Sequence, residues 1–240
     1  MLEARIATKR LPSGETLLHD VALAAAPGDI VALLGASGAG KTTTLRMLLG
    51  LDRAFDGDVR CRATRIGAVF QEPSLLPWRT VGDNIRLVAD HAAPASDIPG
   101  LLHDVGLPTA EALYPRQLSL GMRRRAAVAR ALAVDPDLLV LDEPFASLDP
   151  RLAGLIADRL AAHVRARGAA IVIAMHDIDR ATAFATRIVV LSGRPATVAA
   201  RLELPDSASV TDRAAAHAQL LDSFAFLASA PPENGPPEPA

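Results

Sequence analysis

The sequence predicts an α/β fold whose core carries a mainly parallel sheet, with an N-terminal antiparallel β-subdomain before it and a helical subdomain inserted into it. Three observations point there. Short apolar runs at residues 30–34, 65–70, 138–141, 170–174 and 188–191 alternate with stretches of helical periodicity, the pattern of strands buried on both faces. Before the first of them, residues 4–8 and 16–23 are β-rich pieces joined by the turn-like Pro12-Ser13-Gly14. Between residues 81 and 113 the texture changes to short helical stretches broken by Pro94, Pro99, Gly100 and Pro108.

A chain of 240 residues with 50% hydrophobic and 22% charged positions can bury the core of one such domain and a modest appendage. The expected division is a main domain over 1–205, with its helical subdomain at about 81–133, a helical appendage at 206–228 and a disordered tail at 229–240. That tail, within PPENGPPEPA, is proline-rich and has no apolar anchor. The net charge of -2 and pI near 6.3 provide no general basic field, so no nucleic-acid partner is expected. Cys61 is the single cysteine, which excludes an internal disulfide and a multi-cysteine zinc site. Charge appears early, at Glu3 and Arg5, without the apolar core of a secretory leader, and this predicts a cytoplasmic chain. Despite a mean hydropathy of +0.23, no run reaches the ~18 to 20 uncharged apolar residues of a membrane helix.

Lysine occurs only at positions 9 and 41, and the second lies in Gly35-Ala36-Ser37-Gly38-Ala39-Gly40-Lys41-Thr42. The apolar run 30–34 leads into this segment and a helical pattern opening Lys41-Thr42-Thr43 leaves it, giving strand, loop and helix. Glycine reaches the φ values that let backbone N–H groups wrap phosphate oxygens at close range. Lys41 would reach the β- and γ-phosphates, Thr42 would offer its hydroxyl to Mg2+, and the helix would point its positive end at the phosphates. A shuffled chain of this composition would contain the pattern roughly once per thousand, so a chance glycine turn is set aside.

The run Leu138-Leu139-Val140-Leu141 ends in Asp142 and Glu143. Asp142 would hold Mg2+, directly or through water, and Glu143 would polarise the attacking water as general base. Alone, two carboxylates at a strand end are commonplace; their pairing with Lys41 indicates a P-loop NTPase, and hence a RecA-like core.

Further segments resemble the ABC ATPase family over about residues 4–200. Gln71, after Ala68-Val69-Phe70, resembles the glutamine that links the metal site to the transport subunit. Leu118-Ser119-Leu120-Gly121-Met122 resembles the family's signature segment, Ser147-Leu148-Asp149 its interface-crossing loop, and His176 its switch histidine at the γ-phosphate. Their order along the chain is the family's order. The resemblance implies ATP and Mg2+ as ligands, with Gln71 joining Thr42 and Asp142 at the metal. It also implies a head-to-tail homodimer in which Ser119 and Gly121 of one copy close over ATP on the loop of the other.

The chain departs from the family pattern in two respects. Leu120 and Met122 replace its usual glycine and glutamine, and no aromatic residue precedes Phe55 to stack on adenine. Leu11 or the aliphatic stems of Lys9 or Arg10 are the candidates to take that place. Gln71 to Val81, with its Leu-Pro-Trp-Arg-Thr-Val stretch, resembles the nitrate, sulfonate and taurine importer group. This implies separate permease subunits, an extracytoplasmic solute-binding protein and a position on the inner face of the membrane. Trp78 is then either an anchor beside the permease groove or a residue packed under its loop. A soluble ABC ATPase and a weakly hydrolysing regulatory module are the alternatives.

Overall fold

A computed structural model describes residues 1–89, 97–146, 148–205 and 207–224. Pro94, Ser147, and the expected tail at 229–240 lie outside the described residues, as do 206 and 225–228 of the appendage.

The chain opens with a hairpin, β1 (Leu2–Arg10) and β2 (Thr16–Ala25), then β3 (Ile30–Gly35), α1 (Lys41–Leu48), β4 (Asp56–Cys61) and β5 (Ile66–Val69). Three helices follow, α2 (Val81–Ala89), α3 (Ile98–Asp104) and α4 (Leu120–Ala133), before β6 (Leu138–Asp142). The remainder runs α5 (Pro150–Arg167), β7 (Ala170–Ala174), α6 (Ile178–Phe184), β8 (Arg187–Gly193), β9 (Ala196–Glu203) and α7 (Val210–Ser223). Among the described residues nine strands form one sheet, ordered β4-β1-β2-β9-β8-β3-β7-β6-β5.

The expected parallel core is the run β8-β3-β7-β6-β5, and β4-β1-β2 is antiparallel. The two are parts of one continuous sheet, not separate layers. β9 pairs antiparallel with β8 on one side, and through the parallel pair Leu18↔Ala196 meets β2 on the other. β4 and β9 went unread in the sequence because Asp56-Gly57-Asp58 is polar and β9 is rich in alanine, so neither shows an apolar run.

Alternation along the buried strands divides the core. Ile30, Ala32, Leu34, Leu139, Leu141, Ile171 and Ile173 face one apolar cluster, which α2 to α7 cover. Val31, Leu33, Leu138, Val140, Val172 and Ala174 face the other, which holds Leu45, Met47 and Leu48 of α1 and the hairpin's Leu2, Ile6 and Leu18. Covering both faces is what makes continuous apolar sequence the stable choice in these strands. β3 lies in the interior of the sheet, between β8 and β7, so its C-terminal loop emerges at the carboxyl end of the parallel strands.

Candidate functional site

Gly38 and Gly40 take φ of 80° and 87°, left-handed values that other residues reach only with strain. A Cβ at Gly40 would meet Leu18 Cδ2 at 2.7 Å, while the space above Gly38 is open to an approaching group. α1 starts at Lys41, directly after Gly40, so its first N–H groups have no acceptor within the helix. Ala36, Ser37 and Gly38 are exposed on the loop, and Thr43 is half-buried in the first turn. Lys41 folds back, its Nζ donating to Gly35 O at 2.7 Å and Ala36 O at 3.3 Å. Burial lowers its pKa, against the pull of Glu143 and Asp142.

Thr42 Oγ1 donates to Asp142 Oδ2 at 2.7 Å, joining the loop to the end of β6. Burial raises the Asp142 pKa, and the Thr42 hydrogen bond opposes it. Two oxygen groups held together beside a basic loop are the hard donors that a magnesium ion takes.

Glu143 leaves the strand in a left-handed conformation, φ 49°, with its N–H donating to Ala174 O at 3.0 Å. Backbone strain of this kind survives where surrounding bonds enforce it, and it clusters at functional sites. The turn aims the carboxylate at His176, whose Nδ1 lies 2.9 Å from Glu143 Oε2. That hydrogen bond is the largest cause of a raised His176 pKa, which burial and Lys41 oppose. Beside the pair opens a cavity of about 160 Å³, lined also by Phe145, Met175, Asp177 and Arg180. At roughly 30 Å³ per molecule it has room for a few waters.

The structure thus brings Lys41, Thr42, Asp142, Glu143 and His176 together. Gln71, exposed in the turn after β5, is joined to that cluster by no hydrogen bond among the described residues. Ser119 caps α4, its Oγ accepting from Met122 N at 3.2 Å, and Leu120 is 43% exposed beside it. These residues and Gly121 belong to the helical layer, where α4 packs on α2, α3 and β5. Asp149 caps α5 through Leu152 N, next to the undescribed Ser147.

Next to the phosphate loop lies a second cavity, of about 320 Å³, lined by Leu11, Leu17, Ser37, Gly38, Arg194 and Pro195 among others. Leu11 stands where a base could rest. Lys9 does not, a correction to the sequence reading: it is buried, and its Nζ donates to Asp52 at 2.7 Å and Ala54 O at 2.9 Å. Arg10 donates to Gly14 O at 3.4 Å. Leu17 and Arg194 went unnoticed because no motif marks them; they reach the loop only through the β2–β9 junction. Trp78 is 71% exposed, which removes the alternative that it packs under its loop.

A glycine turn between the parallel strand β3 and a helix, with the carboxylates at the end of β6, one strand further across the sheet beyond β7, beside it, defines the class as a P-loop NTPase. Within that class the chain belongs to the ABC transporter family, whose model matches residues 18–146, and it is an ATP-binding and ATP-hydrolysing subunit. An aliphatic sulfonates import ATP-binding protein of Xanthomonas axonopodis pv. citri is 40% identical over 220 residues, covering 85% of this chain and 86% of that protein. One from Burkholderia cenocepacia is 40% identical over 242 residues, with coverage of 93% and 87%. A dimeric ATP-binding cassette solved in a post-hydrolysis state with ADP and Pi superposes with TM-score 0.77 at 27% identity, over 85% of this chain and 99% of that one. Another dimeric structure of that same cassette, described as a bacterial ABC transporter cassette, gives TM-score 0.77 at 28% identity, over 85% of this chain and 99% of that one.

Proposed function

We propose that this chain binds ATP with Mg2+ at the glycine loop, hydrolyses it as half of a head-to-tail homodimer, and energises an importer for a small sulfonate or a related anionic solute. One observation carries the reading: three distant chain segments converge at the loop, tied by the Thr42–Asp142 and Glu143–His176 hydrogen bonds. In this reading the amides from Gly35 to Thr43 cradle the phosphates, and Lys41 exchanges its loop carbonyls for phosphate oxygens. Thr42, Asp142 and Gln71 hold the metal. Bound there, Mg2+ neutralises phosphate charge. Glu143 accepts the proton of the attacking water, and His176, fixed through Nδ1, faces the γ-phosphate with its other nitrogen. Ser119, exposed, and Gly121, half-buried, at the positive end of α4 serve the nucleotide of the second copy.

The solute class rests on relatives that are named for aliphatic sulfonate import. No helix among the described residues is long and apolar enough to cross a membrane. Transport then requires permease subunits, with a solute-binding protein outside the cell and this chain on the inner membrane face. Trp78 offers the permease an aromatic anchor. Leu-Pro-Trp-Arg-Thr-Val surrounds it.

The test uses Glu143→Gln. With ATP this variant should form a stable dimer by size-exclusion chromatography, and a strain carrying it in place of the native chain should fail to grow on an aliphatic sulfonate as sole sulfur source. Absence of an ATP-dependent dimer would overturn the composite-site reading. Normal growth on the sulfonate would overturn the import reading.

A further inference from the structure

Helix α7 lies beyond the segment that the family model matches, yet it is built into the side of the molecule that carries the hydrolytic pair. Its Ala216 and Leu220 are buried in the larger apolar cluster. Arg213 Nη1 donates to Thr182 O at 2.7 Å and Ala185 O at 3.2 Å, carbonyls at the C-terminal end of α6. Nearer the start of α6, His217 Nε2 stands 2.7 Å from Asp179 Oδ1.

α6 is seven residues long, capped by Asp177, the residue after His176. A helix that short has little stability of its own, so the groups packed on it decide where it sits. On its other side α6 holds the chain that follows Glu143. The Arg180 guanidinium stands 5.1 Å from the centre of the Phe145 ring, and Phe184 meets the same ring edge-on at 6.1 Å. α6 therefore touches the chain next to each partner of the His176–Glu143 hydrogen bond, and α7 grips α6.

We infer that Arg213 is a positioning residue: from α7 it holds α6 where His176 can meet Glu143, and so sets the rate of hydrolysis without contacting nucleotide. The inference rests on the proposed roles of His176 and Glu143. A guanidinium at a helix C-terminus satisfies carbonyls that have no intrahelical donor and faces the negative end of the dipole. Without it the last turn of α6 frays and the imidazole no longer keeps one orientation. The loop, Thr42 and Asp142 sit on β3, α1 and β6, so nucleotide affinity is untouched.

Steady-state ATP hydrolysis by the full chain tests this in a double-mutant cycle. Arg213→Ala should lower kcat roughly 3- to 10-fold with KM for ATP unchanged, Arg213→Lys should restore most of the loss, and Arg213→Ala should add nothing in a His176→Ala background. If Arg213→Ala does not fold, Arg213→Gln is read by the same criteria. Unchanged kcat, a KM that moves with kcat, or losses that multiply in the double variant would overturn the inference. Full turnover by His176→Ala alone would instead overturn the roles of the pair, and the inference with them.

Discussion

His176 Nδ1 lies 2.9 Å from Glu143 Oε2, and this hydrogen bond is the largest cause of the raised pKa of His176. In the nucleotide-free protein His176 should keep its proton above the ordinary imidazole value of 6.5. Because the folded pKa is the raised one, the pair's contribution to stability is fully present below 6.5 and is lost as pH rises through the folded value. An NMR titration of the imidazole checks this, and Glu143→Gln should bring the midpoint down. A midpoint indifferent to that substitution would show that another group sets it.

Leu11 rather than an aromatic ring borders the cavity beside the loop. A leucine gives no π-face to a purine, so ATP and GTP should bind with similar affinity. Leu11→Tyr should strengthen ATP binding by up to ~1 to 3 kcal/mol, the scale of base stacking. Titration calorimetry with both nucleotides measures it, and tight adenine-selective binding by the native chain would refute it.

Leu120 is 43% exposed at the first position of α4, directed away from the apolar clusters, and Ser119 caps the helix beside it. Ser119 takes the Met122 N–H, while the N–H groups of Leu120 and Gly121 have no acceptor within the helix. Leu120→Gly should change turnover by less than about threefold, in keeping with surface substitutions. A gain of several orders of magnitude would mean that the leucine obstructs closure.

Asp137 accepts hydrogen bonds from Thr64 N, Thr64 Oγ1, Arg65 N and Arg65 Nη2, bonds that hold its carboxyl well below the usual carboxylate range. It ties the entry of β5 to that of β6. Asp137→Ala should destabilise the fold by ~1 to 2 kcal/mol in urea denaturation, allowing for screening at a partly exposed site. Since the folded pKa is depressed, this contribution is present above the ordinary carboxylate value of 3.8 and fades as pH falls further.

Much of the core was legible because burial on both faces demands continuous apolar sequence, as in Leu138-Leu139-Val140-Leu141. The loop was legible for a related reason: backbone that must wrap an anion tolerates few residue types. β9 was not, since a strand that joins β8 to β2 is specified by register, which composition does not express. Nor did the sequence reveal that Lys9 is committed to Asp52, 43 residues away, and so cannot serve a base. The left-handed backbone of Glu143 and the grip of Arg213 on α6 likewise depend on contacts between distant segments.

The bonds from Lys41 to Gly35 O and Ala36 O fix the loop before any nucleotide arrives. Its ammonium does not wait as an unsatisfied cation; it exchanges one set of oxygen partners for another. The conformational entropy of ordering the loop is then spent in folding and not at encounter, which is what preorganisation means for a ligand site. Nucleotide capture by this chain should be fast, and discrimination should fall on the later step in which a second copy closes the site.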